Sequence, residues 1–172
     1  RKKAEAFAEA QRTVLSLMAK DAPLPDILAC LCLETEKQSD GMLCSVLLLE
    51  GTTLCHAVAP SLPDEYTRAI DGVTIGPAVG SCGAAAYKNE TVIVADIATD
   101  PLWADYRAIA LRQGLKTCWS TPIRDAAGSV LGVFAVYRRT AVAPDAAQEE
   151  LINMSVYLGG IAIERWRAEE AL

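Results

Sequence analysis

The residues best placed to do chemistry lie between Ile75 and Asp96, in IGPAVGSCGAAAYKNETVIVAD. Gly76, Gly80 and Gly83 surround Ser81 and Cys82 and leave the backbone free to fold tightly against a bound group. The Gly80–Gly83 stretch runs into Ala84–Ala86, a segment of high helix propensity. A helix start here offers free N–H groups that, with the Ser81 hydroxyl, would hold an anion or a ligand carbonyl. The alternative is that Ser81 caps the helix and the glycines only make the turn. Cys82, at the same helix start, is expected to have a depressed thiol pKa and thiolate character. The spacing is neither GxGxxG nor GxxxxGK(S/T), so those modes of nucleotide binding are unsupported.

A second candidate group follows Pro101. Trp103, Tyr106 and Arg107 share a short segment, with Trp103 and Arg107 four apart on one helical face. Trp and Tyr offer a large apolar surface with one hydrogen-bonding tip, which suits a pocket wall; a lid packed shut on a sheet would use the same residues. Further on, Cys118, Ser120 and Pro122 share one strand face, and Thr117, Trp119 and Thr121 the other. Cys118 and Ser120 are assigned to the pocket side, because Trp119 suits the packing beneath terminal helices. Tyr87 and Tyr137 remain open between pocket and core. His56 is the sole histidine, on a strand, either packed there or serving as a ligand contact or haem ligand; no CxxCH is present for covalent haem.

Much other chemistry is unsupported. The six cysteines contain no CxxC, and one histidine is too few for the usual zinc spacings. There is no HExxH, no credible Ser-His-Asp set and no acid pair placeable across a cleft. A net charge of −6 opposes binding to phosphate backbones. No apolar run approaches the roughly eighteen residues of a membrane span, and Arg1–Lys3 precede no signal-peptide core, so a soluble cytoplasmic protein is expected.

The elements that must position these residues are legible from periodicity. Residues 4–19 read as a helix, and a second starts at a capping Asp26 and runs to about Lys37. Strands follow at 42–49 and 53–59, joined by Glu50-Gly51. A short helix at 64–70, a brief strand at 73–75, a helix at 81–88 and a β-branched strand at 91–97 come next. Asp100-Pro101 opens a single helix over 102–112, closed by Gly114. Strands at 115–123 and 130–138 precede a long helix from Asp145. The order predicts an α+β fold in one domain: a sheet of about six antiparallel strands with terminal helices on one face. Leu151, Leu158, Arg165 and Leu172 fall seven apart, with Met154, Ile161 and Ala168 between, so a parallel dimer seam competes with simple packing on the sheet.

The order of these phrases resembles a GAF domain, the small-molecule sensor module of bacterial signalling proteins. The resemblance spans Pro25 to Tyr137. It rests on Ala59–Pro63, GPAVGSCG at Gly76–Gly83, Val92–Ile97, Asp100–Tyr106, Cys118–Ile123 and the glycines at 128 and 132. It implies a GAF/PAS-like six-stranded antiparallel sheet, a core at 25–138, and terminal helices at 1–20 and 145–172 that relay a signal. It implies a pocket on the other face, with Ser81, Cys82, Trp103, Tyr106, Arg107, Cys118, Ser120 and His56 as candidate contacts. The ligand would be a small organic molecule or cyclic nucleotide, with haem less favoured, and the partners a second copy and an output domain such as a histidine kinase or cyclic-di-GMP enzyme. The Cys82 setting is also similar to free methionine-(R)-sulfoxide reductases, although the cysteine that class carries in the region 100–112 is missing. A ligand-free dimerisation spacer is the third reading.

Overall fold

Alternating apolar residues on both faces of the strands demand a sheet covered on both sides, and two separate cores result. The computed structural model describes residues 2–172, the side chains of His56 and Ala57 excepted. The elements are α1 (Lys2–Ala19), α2 (Leu24–Glu36), β1 (Leu43–Glu50), β2 (Thr53–Val58), α3 (Asp64–Ile70), β3 (Val73–Thr74), α4 (Gly80–Lys88), β4 (Val92–Val94), a 3-10 turn (Pro101–Trp103), α5 (Arg107–Arg112), β5 (Thr117–Arg124), β6 (Val130–Arg138) and α6 (Ala146–Glu170). The strands form one antiparallel sheet in the order β3-β2-β1-β6-β5-β4. The α+β architecture expected from the sequence is the one observed.

One face of the sheet carries α1, α2 and α6. Val14, Leu28, Leu31, Cys44, Val46, Trp119, Phe134, Leu151 and Leu158 are buried together there. The other face carries α3, α4, α5 and their loops over Leu47, Leu54, Tyr66, Cys82, Trp103, Cys118 and Tyr137. Strand alternation sends Trp119 into the first core while Cys118 joins the second, as the pattern 117–122 predicts. Registers place Ser45 opposite Ala135 and Ala135 opposite Ser120, so these three line up across the pocket side.

Helix α6 begins with a capping box between Asp145 and Gln148. Its Leu151, Ile152, Ser155, Leu158, Ala162 and Ile163 are buried, and Ser155 meets Thr35 of α2 at 2.8 Å. Leu151 and Leu158, two leucines of the expected dimer seam, are therefore spent inside this chain. Tyr157 and Ile161 face outward, at 64% and 37% exposure.

Three expected elements differ. Helix α2 starts at Leu24 after Pro23 rather than at a capping Asp26, because Pro25 sits in the first turn, where its missing N–H costs no bond. Strand β4 stops at Val94: Asp96 turns the chain by accepting from Ala98 N and the Thr99 hydroxyl. The helix expected over 102–112 is broken in two. The Asp100 carboxylate accepts from Leu102 N at 2.9 Å and fixes a 3-10 turn that drives Trp103 inward before α5 begins at Arg107.

Thr117 closes the sheet edge. Its buried Oγ1 lies 2.8 Å from Ala95 O and 2.7 Å from Thr140 O, sharing one proton between them, and accepts from Val142 N at 3.1 Å. Thr117→Val keeps the shape and strands these groups. It should lower stability by about 1–3 kcal/mol in urea unfolding, with the dependence on denaturant unchanged.

Candidate functional site

The site is built where α4 meets β5. Gly80 has φ of +59°, a left-handed conformation that only glycine adopts cheaply, and it turns the chain abruptly into α4. The face that a Cβ would occupy lies 3.5 Å from the Trp103 ring, so the indole packs directly on this turn. Ser81 is not a cap. The N-cap position is Val79, with no side-chain bond to the helix. Instead Ser81 Oγ donates to Cys118 O at 3.0 Å and accepts from Trp103 Nε1 at 2.9 Å. A fully buried indole N–H needs such a partner.

Beside it, Cys82 Sγ and Ser120 Oγ are 3.2 Å apart, and Cys118 Sγ lies 3.5 Å from the same oxygen. The neighbouring Cys118 thiol is the main reason Cys82 titrates below an ordinary thiol. Burial opposes this, while the Ser120 and Tyr137 hydroxyls assist it. Cys118 is pushed well above the usual range, first by burial and then by Cys82. The two thiols thus shift in opposite directions, Cys82 down and Cys118 up.

Tyr66 donates to the Tyr137 hydroxyl at 2.9 Å, with the rings edge to face at 5.4 Å; Trp103 and Tyr137 meet similarly at 6.5 Å. Burial holds both phenols well above their ordinary pKa, so both stay protonated. These groups bound a cavity of about 30 Å³, whose walls include Leu47, Leu54, Ile70, Val79, Cys82 and Tyr106. No charged side chain is among its lining residues. A pocket for a drug-sized ligand holds roughly 300–1,000 Å³. The cavity as it stands admits a molecule of a few heavy atoms, and anything larger requires the Trp103–Tyr106 roof to lift.

Of the residues singled out from the sequence, Ser81, Cys82, Trp103 and Tyr106 line the cavity. Cys118 and Ser120 form the layer behind Cys82. Arg107 does not reach the cavity: its Nε donates to Ile97 O at 3.0 Å and its Nη2 to Asp100 O at 2.8 Å, which fastens the loop outside. Its four-residue spacing from Trp103 carries no common face, because the intervening helix is broken. His56 lies outside the described side chains. Tyr137 belongs to the pocket wall and Tyr87 is exposed. Sequence reasoning missed Tyr66; its four-residue spacing to Ile70 on α3, both on the cavity side, is the signal that identifies it. Ser45 was missed as well. Its buried hydroxyl has no hydrogen-bond partner among the described residues, and it lies two positions along the pocket side of β1 from Leu47.

The GAF domain family profile matches residues 8–164, and the chain belongs to that family. It is 40% identical over 174 aligned positions to the methyl sulfide methyltransferase-associated sensor of Methanosarcina acetivorans; the match covers all of this chain and 17% of that protein. Among solved structures, the GAF domain of a phosphoenolpyruvate-protein phosphotransferase from Coxiella burnetii superposes with a TM-score of 0.75 at 15% identity, covering 99% of this chain and 97% of that one. Free methionine-R-sulfoxide reductase from Neisseria meningitidis, in complex with its substrate, superposes at 0.72 with 19% identity, covering 98% and 94%. At these identities the superpositions establish the fold. Among the described residues, no helix is long and apolar enough to cross a membrane.

The thiol pair makes a direct prediction. Removing the Cys118 S–H removes the largest influence that lowers Cys82, so Cys118→Ala should move the pH midpoint of Cys82 alkylation upward. An unchanged midpoint, followed by mass spectrometry of iodoacetamide-treated protein, would show that the two sulfurs are uncoupled. Gly80→Ala should cost about 1–2 kcal/mol in thermal unfolding, since an L-residue is strained at that φ.

Proposed function

We propose that residues 1–172 act as one regulatory GAF-type unit. A small uncharged ligand enters between the Gly76–Gly83 loop and the Trp103–Tyr106 roof, and its presence is relayed through α1 and α6 to an output domain. The observation that carries this reading is the cavity itself: apolar walls, two protonated tyrosine hydroxyls and the Ser81–Trp103 bond, all on the roof of a sheet whose opposite face holds the terminal helices. Alignment to a short part of a longer sensor supports a module within a signalling chain. The output would be a histidine kinase or a cyclic-di-GMP enzyme, the setting cytoplasmic, and the assembly a homodimer joined along the outward residues of the terminal helices.

The lining disfavours a cyclic nucleotide. A buried phosphate needs a cation or several N–H donors. Arg107, at the start of α5, already spends its guanidinium on two backbone carbonyls. A signal also requires the ligand to bind the two arrangements of the terminal helices with different affinity.

A reductase acting on free methionine sulfoxide is the second reading, favoured by Cys82 and its lowered thiol. Against it stand the absence of a cysteine between Asp100 and Arg112 and of any carboxylate among the cavity-lining residues. Its test is turnover of free methionine sulfoxide with a thiol reductant, which the sensor reading expects to be nil.

Thermal shifts against a panel of small thioethers, indoles, cyclic nucleotides and haem test the main proposal. A saturating ligand at about a hundred times its Kd stabilises by about 2.7 kcal/mol, a rise of roughly 5–10 °C for a chain of this size. The rise should come from neutral compounds and fall sharply in Trp103→Phe, which keeps most of the packing but loses the bond to Ser81. A rise confined to cyclic nucleotides would refute the assigned ligand chemistry. No saturable shift from any compound would leave the spacer reading in its place.

A further inference from the structure

The chain holds six free cysteines, and their placement is not equivalent. Cys30 and Cys55 are half-buried at the surface. Cys32 and Cys44 are sealed in the core beneath the terminal helices, and neither is among the residues lining the cavity. Cys82 and Cys118 alone converge on one hydroxyl, Ser120 Oγ, beside a cavity, with Cys82 on its wall and Cys118 behind it. The ligand reading above uses neither thiol as a reactive group.

We propose that Cys82 and Cys118 form a peroxide-reactive dithiol site, in which a small neutral peroxide oxidises Cys82 and Cys118 closes the product as a disulfide. The geometry supplies each requirement. The Ser81 hydroxyl bond to Cys118 O holds the first turn of α4 against β5, so both sulfurs face the same Ser120 hydroxyl. Ser120 Oγ stands within 3.2 Å of one sulfur and 3.5 Å of the other and orients both. The cavity of about 30 Å³ accepts a molecule the size of one or two waters, which hydrogen peroxide is. No acidic or basic side chain lines it, which suits a neutral oxidant. The protonated Tyr137 hydroxyl, which accepts from Tyr66, keeps its own O–H to donate to a peroxide oxygen.

The chemistry balances in two steps. The Cys82 thiolate attacks one peroxide oxygen and the O–O bond breaks. A sulfenic acid forms on Cys82, and hydroxide leaves and takes up the proton the thiol released, giving water. The Cys118 sulfur then attacks the Cys82 sulfur; the S–O bond breaks, the S–S bond forms, and the hydroxyl leaves with the Cys118 proton as a second water. Two thiols are oxidised by two electrons and one peroxide is reduced to two waters.

Oxidation has a route to the far face of the sheet. Forming the bond takes both thiols from Ser120 and draws on β5 at Cys118. The next residue on that strand, Trp119, packs under the terminal helices, donates from Nε1 to Val142 O at 2.9 Å and lies beneath the Arg138 guanidinium. The inference does not rest on any ligand for the cavity: a failed ligand panel leaves it standing, and a failed oxidation leaves the ligand reading standing.

The test is peptide mapping of the folded chain after addition of near-stoichiometric hydrogen peroxide, with reversal by dithiothreitol. Wild type should lose the mass of two hydrogens and yield a peptide linking Cys82 to Cys118, while Cys32 and Cys44 stay reduced. Cys118→Ser should instead accumulate a dimedone adduct at Cys82, and Cys82→Ser should leave Cys118 reduced. Cys82 should react roughly tenfold faster than Cys30, whose thiol is raised by burial and by Glu34. Oxidation of Cys30 or Cys55 with Cys82 and Cys118 both still reduced overturns the proposal. So does a disulfide joining any other pair. If Cys118→Ser fails to fold, the wild-type map decides alone.

Discussion

A single hydroxyl joins the three parts of the pocket. Ser81 Oγ donates to the Cys118 carbonyl on β5 and accepts from the Trp103 indole of the roof, while its own backbone forms the first turn of α4. All three groups are buried, so none can exchange its partner for water, and losing one would leave the others unsatisfied at a cost of about 1–3 kcal/mol. The rest of the site follows from this joint. It fixes how far α4 stands from the sheet, which brings Cys82 to the Ser120 hydroxyl beside Cys118, and it holds the indole over Gly80, which sets the height of the roof.

The sheet makes this arrangement consequential. Alternation along β5 places Cys118 and Ser120 in the pocket layer and Trp119 and Ile123 in the helix layer. A strand is stiff along its length, so a displacement at Cys118 is carried to the neighbour that faces the other way. The same logic holds on β6, where Tyr137 bounds the cavity and Val136 packs beneath the helices. The small residues Gly159 and Gly160 let α6 lie close over Ile123 and the Arg124 carbonyl, so the helix layer is in register with the strand that would move. In the proposed function, the cavity and the terminal helices are separated by a wall only one strand thick.

Much of this was legible from residue order. The long α6, the hairpin of β1 and β2, and the last two strands announce themselves by period and by turn residues, and GPAVGSCG marks the start of α4 in a GAF-like arrangement. The boundaries that failed did so for local reasons. Asp100 and Asp96 each spend a carboxylate on nearby backbone N–H groups and cut short a helix and a strand that propensity would have continued. The heptad in α6 was real as a pattern, but Leu151 and Leu158 satisfy it inside the chain, since a leucine every seventh residue suits a sheet as well as a partner helix.

The amino-acid sequence by itself determined the fold class, which residues of β5 share a face and the presence of small, polar and thiol groups at the α4 start, while which of those faces lines the pocket was left to the fold. These follow from period and composition, which are local properties of a chain. Tertiary structure alone decided what those groups do. Ser81 could have capped its helix, Arg107 could have faced the cavity, and Tyr66 gave little sign of its partnership with Tyr137. The partners that settle each case lie 37, 10 and 71 residues away. Whether a hydroxyl caps, bridges or binds depends on which acceptor is nearest once the chain has folded, and no spacing within a segment carries that distance.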